Sequence, residues 1–260
     1  MNRLQPLAPQ ALSLGMAKAD TPMLVEQGVF QRETGGQSPY ALFVPIHYEA
    51  NYAYPLVVWL HGSGDNERQL QRIMPLVSLR NYVAVGPRGA SASRGGRGGF
   101  SWRQDTADIA RAETAVFQCI DRVSARFHVA PQRIFVAGYA DGGTMALRLG
   151  LRYPDRFAGA LSLGGGFPEG HAPLARLASA RGLPLFMASG RDSQNYSIED
   201  CCQELRLFHA AGLSVTLRQY PCADEIVTNM LSDMDRWMME HVTGMEHTPE
   251  PECPPRGEFN

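Results

Sequence analysis

The run Val136-Ala137-Gly138-Tyr139-Ala140-Asp141-Gly142-Gly143 follows the outline of a turn built for nucleophilic attack, G-x-S-x-G. In that turn a strand ends, the chain reverses sharply into a helix, and an apical serine is pushed out with its hydroxyl exposed. Residues 133–137 read as a short apolar strand and residues 144–153 as a helix. Gly138 and Gly142 take the two small positions that so crowded a turn requires. The apex is Ala140, and a methyl group cannot attack a carbonyl.

Other residues could in principle take over. Asp141 is next in line, but using it shifts the register and puts Tyr139 where a small residue is needed. A nucleophile also needs a base acting with it. Of the seven histidines, His61 closes an apolar run, His47 ends an early strand, and His128, His209 and His241 fall in or beside helices. His247 lies in the tail, and His171 follows Gly164-Gly165-Gly166 in a loop that could approach a pocket mouth. Cys222 is a conceivable thiol nucleophile, but with no neighbouring base or cation its pKa should stay near the free value of about 8.5.

The elements that would position these residues alternate between strand and helix. Residues 25–32 and 39–46 read as an initial strand pair, and 55–61 as a strand buried on both faces. A helix over 67–74 and a strand over 81–85 follow, then a long helix over 104–127 with Ile109, Val116, Phe117, Ile120, Val123 and Phe127 on one face. Beyond the glycine turn come strands at 157–163, 184–189 and 213–220, with helices over 197–211 and 225–242. This pattern predicts one α/β domain over 23–245 with a mostly parallel sheet flanked by helices on both faces. Ligands in such sheets sit at the carboxyl ends of the strands. Residues 1–22 read as a loose arm, and 246–260, with four prolines, as a disordered tail.

Composition narrows the function. A 44% hydrophobic, 19% charged chain of 260 residues can bury a substantial core. A net charge of −2 gives no reason to expect a nucleic-acid partner. No run approaches the roughly 18 apolar residues of a membrane span. Five cysteines without metal-ligand spacing suit reduced thiols in the cytoplasm, and neither a metal nor another cofactor is expected.

The segments LVVWLHGSGDNE (56–67), RIFVAGYADGGTMAL (133–147), FAGALSLGGGFP (157–168) and LRQYPCADE (217–225) together resemble the α/β-hydrolase superfamily. They are most similar to its phospholipase/carboxylesterase branch, which includes the acyl-protein thioesterases. The resemblance implies a single-domain α/β-hydrolase fold with an oxyanion hole made of backbone amides. These would come from the His61-Gly62-Ser63-Gly64 loop, through Ser63 with Gly64 beside it, and from Asp141 after the apex. It also implies a Ser-Asp-His triad in chain order. The nucleophile position falls on Ala140 and the acid on Asp192. The histidine position holds Asp224, so only Asp192 matches the family.

Three expectations follow from that carry-over. If Asp192 and Asp224 face each other, they cannot both ionise easily and one pKa should rise, whereas a solvent-facing Asp224 would feel no such effect. The stretch from Gly86 to Trp102, with Arg88, Arg94 and Arg97 and with Arg103 just beyond, reads as either a cationic flap or a solvated loop. Trp102 stands where the family often places a pocket-lining aromatic. The function that fits is a non-catalytic pseudo-hydrolase keeping a pocket for a small-molecule ligand or acyl ester. The alternative is a carboxylic-ester hydrolase using Asp192 and Asp224 on water, or a thiol. A purely structural domain is a third reading.

Overall fold

The computed structural model describes residues 29–33, 39–92 and 99–244. The expected N-terminal arm, the C-terminal tail, Arg94 and Arg97 lie outside the described residues.

In chain order the elements are β1 (Val29–Glu33), β2 (Tyr40–Val44), β3 (Tyr54–Leu60), α1 (Gln69–Val77), β4 (Val83–Pro87), β5 (Ser91–Ala92), β6 (Phe100–Ser101) and α2 (Thr106–Arg126). There follow β7 (Val129–Tyr139), α3 (Asp141–Arg152), β8 (Gly159–Leu163), α4 (Leu177–Ala180), β9 (Leu185–Gly190), α5 (Ile198–Ala211), β10 (Val215–Tyr220) and α6 (Thr228–Thr243). Eight strands form one sheet in the order β1-β2-β4-β3-β7-β8-β9-β10. The β1–β2 and β2–β4 pairs are antiparallel, and every other pairing in that sheet is parallel.

The unbroken apolar run of β3 now has its cause. β3 lies between β4 and β7, and all seven of its residues are buried because helices cover both faces of the sheet. On one face β3 residues Leu56, Val58 and Leu60 belong to the same buried core as Ile109 and Val116 of α2, Met145 of α3 and Phe208 of α5. On the other, Val57 and Trp59 meet Leu70 and Met74 of α1 and Met230 and Trp237 of α6. The period-2 strand and period-3.6 helix patterns thus face one another across two continuous apolar layers.

The main differences from the sequence expectation lie at the ends of β7 and α3. β7 runs eleven residues, and α3 starts at Asp141 rather than Thr144. Glycines at 142 and 143 obscure the helix start, since glycine disfavours helix interiors. Here they are required by close packing: a Cβ on Gly142 would run into the carbonyls of Leu60 and His61.

Candidate functional site

β7 passes into α3 through a sharp strand-to-helix turn whose apex is Ala140. β7 ends at Tyr139, α3 begins at Asp141, and Ala140 between them holds φ 50° and ψ −122°. An L-residue with a Cβ rarely occupies that region, at a cost of about 1–3 kcal/mol. The surroundings hold it there: the Ala140 amide donates to the Leu163 carbonyl at 2.8 Å, and its carbonyl accepts from the Thr144 amide at 3.0 Å. A Cβ on Gly138 would collide with the Gly142 backbone, so the turn can close only with glycine there.

A cavity of about 30 Å³ opens beside the apex, lined by Ala140, Tyr139, Ser193, Asn195, Asp224 and Glu225 among others. Ala140 and Asp224 are therefore brought together. Asp192 is not: it does not line the cavity, its side chain is 67% exposed, and its nearest ion-pair partner is Arg191 at 3.8 Å. The next residue takes the inward place. The Ser193 amide donates to the Gly190 carbonyl at 3.3 Å, turning the loop so that Ser193 faces in while Asp192 faces out. Ser193 donates its hydroxyl to the Asp224 carboxylate, which also accepts the amides of Gln194 (3.2 Å) and Asn195 (3.3 Å). These bonds, the Ser193 hydroxyl foremost, hold the Asp224 carboxyl below its ordinary value. The alternative of a facing carboxylate pair thus loses its ground, because the exposed Asp224 is met by donors instead of a second carboxylate. Sequence reasoning missed Ser193 because a one-residue choice within a four-residue turn leaves no periodic signal.

Asp141 behaves differently. Its carboxylate accepts the Trp102 amide at 2.9 Å and the Gly142 amide at 3.1 Å. Burial pushes its pKa up to about 6, while those amides, its own amide and that of Ser63 pull the other way by favouring the anion. The amides expected to serve a developing oxyanion, those of Ser63 and Asp141, lie close enough to this carboxylate to favour its anion, though its hydrogen bonds come from Trp102 and Gly142. The Gly64 amide donates to the Phe100 carbonyl at 2.9 Å. Trp102, expected as a lining residue, is buried away from the cavity, with its indole N–H on the His61 carbonyl at 3.0 Å.

The remaining candidates are structural. His61 is fully buried between two backbone groups: Nε2 accepts from the Gly89 amide at 2.9 Å, leaving Nδ1–H to donate to the Gly62 carbonyl at 2.9 Å. Burial lowers its pKa, so it is a neutral scaffold histidine. His171 reaches only Thr106, at 3.4 Å. The Cys222 thiol is pushed up by burial and by the Glu225, Asp192 and Asp224 charges, correcting the expectation of a free-thiol value. The described part of the 86–102 stretch is anchored: Arg88 grips the buried Glu67 with two bonds of 2.6 and 2.5 Å, and β5 pairs with β6. Just beyond it, Arg103 pairs with Asp105 at 3.1 Å. Arg88 is a strut under the loop, not a cation offered to a ligand.

Beyond Asn195 the small cavity adjoins a cleft of about 740 Å³, walled by Gln104, Thr144, Phe167, Asn195, Tyr196 and Glu204 among others. Burial raises the Glu204 pKa, opposed by the Tyr196 hydroxyl at 2.6 Å and the Phe167 amide at 2.7 Å. Among the described residues no cluster of His, Cys, Asp or Glu is arranged to hold a metal ion.

The sheet order, flanking helices and strained elbow define an α/β-hydrolase fold. The phospholipase/carboxylesterase family model matches residues 45–242, so the chain belongs to that family. A probable carboxylesterase of Oryza sativa subsp. japonica is 24% identical over 218 residues, covering 76% of this chain and 93% of that protein. Carboxylesterase SOBER1 of Arabidopsis thaliana is 22% identical, covering 75% of this chain and 94% of that protein. The match to a putative esterase, NocK, of Nocardia uniformis subsp. tsuyamanensis is 28% identical but spans only 34% of that protein. The crystal structure of SOBER1 superposes with a TM-score of 0.61 at 20% identity, covering 73% of this chain and 100% of that one. A ferulic acid esterase gives a TM-score of 0.65 at 14% identity, covering 84% of this chain and 100% of its own.

Proposed function

We propose that this member of the phospholipase/carboxylesterase family is a pseudo-hydrolase: it keeps the elbow and has lost serine-esterase chemistry. The observation that carries the reading is the content of the cavity beside Ala140. Its side chains at the three places where the family's triad would act are a methyl, a hydroxyl and a carboxylate, on Ala140, Ser193 and Asp224. None is a base able to activate a neighbour: Ser193 is a donor to Asp224, and the acidified Asp224 carboxyl is already committed to three donors. Loss of the serine or the histidine from a serine-protease triad costs about 10⁶ in turnover, and losing the rest adds little.

Two further features support the reading. A cavity of about 30 Å³ has room for roughly one water and not for an acyl group. The Asp141 carboxylate already draws on the amides that would stabilise an oxyanion. Ligand binding falls instead to the neighbouring cleft of about 740 Å³, whose walls mix Phe167 and Tyr196 with Gln104, Asn195 and Glu204. The free thiols of Cys119, Cys201, Cys202 and Cys222 support a cytoplasmic setting.

Hydrolysis by a carboxylate pair on water loses support because Asp192 turns away from Asp224. Hydrolysis through Cys222 loses it because the thiol is driven toward its protonated form. The experiment is turnover of short-chain p-nitrophenyl esters by the purified protein, beside its Asp141→Asn, Asp224→Asn and Cys222→Ala variants. The expected result is a rate indistinguishable from buffer. Turnover above buffer that one of these substitutions abolishes would sink the proposal.

A further inference from the structure

On the outer side of α3 the chain builds a second pocket, of about 360 Å³, walled by Arg148, Arg152, Arg176, His171 and Tyr153 with no acidic residue in its lining. Two of its arginines have carboxylate partners, Arg152 with Glu113 at 3.0 Å and Arg176 with Asp155 at 2.6 Å, and both are about half exposed. Arg148 is different. It is 2% exposed, and its three hydrogen bonds go to neutral acceptors: Gln104 Oε1 (2.6 Å), the Gly170 carbonyl (3.0 Å) and the Glu169 carbonyl (2.6 Å). A guanidinium has five N–H donors. The one carboxylate acting on Arg148, that of Glu113, does so without a hydrogen bond and is already paired with Arg152, so burial and Arg152 still disfavour the Arg148 charge. A buried cation so placed gains from an added anion. The loop it grips is held in an unfavourable shape, with Gly170, His171 and Ala172 all left-handed at φ 66°, 53° and 46°. Strain of that kind, kept at two residues with side chains, collects at binding sites.

We propose that this pocket binds a phosphate-type dianion, with the buried Arg148 as its fixed charge and Arg152 and Arg176 closing on it from the rim. The class follows from the charge. Three guanidiniums and two partner carboxylates leave one excess positive charge, guanidinium forks match phosphate as they do carboxylate, and a dianion gains more from that charge than a monoanion does. The site is distinct from the cavity at Ala140, although Gln104 and Glu169, which hold Arg148, also wall the 740 Å³ cleft.

Titration of inorganic phosphate into the full-length protein tests this by calorimetry and thermal shift, with sodium chloride and acetate as controls at matched ionic strength. The expected result is saturable one-site binding that acetate does not reproduce. Affinity should fall by roughly tenfold or more in Arg152→Gln/Arg176→Gln, whose side chains lie outside the core. Circular dichroism confirms that the variant is folded. No saturable binding by the native protein, equal binding of acetate, or undiminished affinity in the folded double variant would each overturn the proposal.

Discussion

The elbow and the Arg148 pocket lie at opposite ends of one helix and fail in opposite ways. At the start of α3 a strained Ala140, the Ser193 hydroxyl and the Asp224 carboxylate line a cavity of about 30 Å³. Toward its end three arginines gather around about 360 Å³, two half-exposed and paired and one, Arg148, buried among neutral acceptors. Electrostatic satisfaction separates the two. The exposed Asp224 carboxylate accepts the Ser193 hydroxyl and two backbone amides, whereas the buried Arg148 has neutral acceptors but no hydrogen-bonded carboxylate. A buried guanidinium held only by neutral acceptors leaves a place for an anion, whereas the Asp224 carboxylate is already met by donors.

The sharpest way to break this contrast is to crowd each end in turn. Gly142→Ala should destabilise the fold by more than about 4 kcal/mol or prevent folding, because its methyl meets the Leu60 and His61 carbonyls. Chemical denaturation, or loss of soluble protein, reads this out. If Gly142→Ala folds with native stability, the elbow is looser than described.

Protonation probes the same end. The Asp141 pKa is raised from 3.8 to about 6, so its contribution to stability is fully present below pH 3.8 and lost as the pH rises through 6. That loss is at most about 3 kcal/mol. His61 works with the opposite sign: its lowered pKa gives stability that is present above pH 6.5 and lost as the pH falls through the folded value. Urea midpoints between pH 4 and 7, compared with those of Asp141→Asn, should show the variant lacking the decline with rising pH. Identical profiles would mean that Asp141 is not the buried carboxyl described.

Smaller effects belong to the other end and to the cavity rim. Gly170→Ala meets no atom within 4 Å and suffers only left-handed strain, so it should cost about 1–2 kcal/mol in a thermal melt. Tyr139→Phe removes the 2.7 Å bond to the Asp224 carbonyl and should cost about 1 kcal/mol. It should also loosen the cavity, seen as faster amide exchange at residues 222–225. A Gly170→Ala cost as large as that of Gly142→Ala would erase the distinction between a closed and an open end.

Much of this was legible in the residues, for identifiable reasons. The β3 run is continuously apolar because the strand is sandwiched, and the α2 stripe repeats at helical spacing because one face meets the sheet. Both are periodic signals. The turn at Ala140 could be read because Gly138 and Gly142 punctuate it. That Ser193 rather than Asp192 lines the cavity could not be read, since which of two adjacent loop residues faces inward depends on a single turn bond. The β5–β6 hairpin was hidden in a glycine-rich stretch because its anchors, Trp102 on His61 and Phe100 on Gly64, are contacts across long sequence separations. Nor does any local pattern announce Arg148 as buried, because an arginine inside an amphipathic helix ordinarily reads as a solvent-facing residue.

The most direct test of the vacated elbow restores it. In the variant Ala140→Ser/Ser193→Asp/Asp224→His, fluorophosphonate labelling at position 140 and p-nitrophenyl ester turnover should both appear. The native protein should remain unlabelled and at the buffer rate. A gain of about 10³-fold or more over the native protein would match what a restored triad supplies above the residual floor. A folded triple variant that stays inert, or a native protein that is labelled and turns over ester, would contradict the assignment of Ala140, Ser193 and Asp224 as the emptied triad.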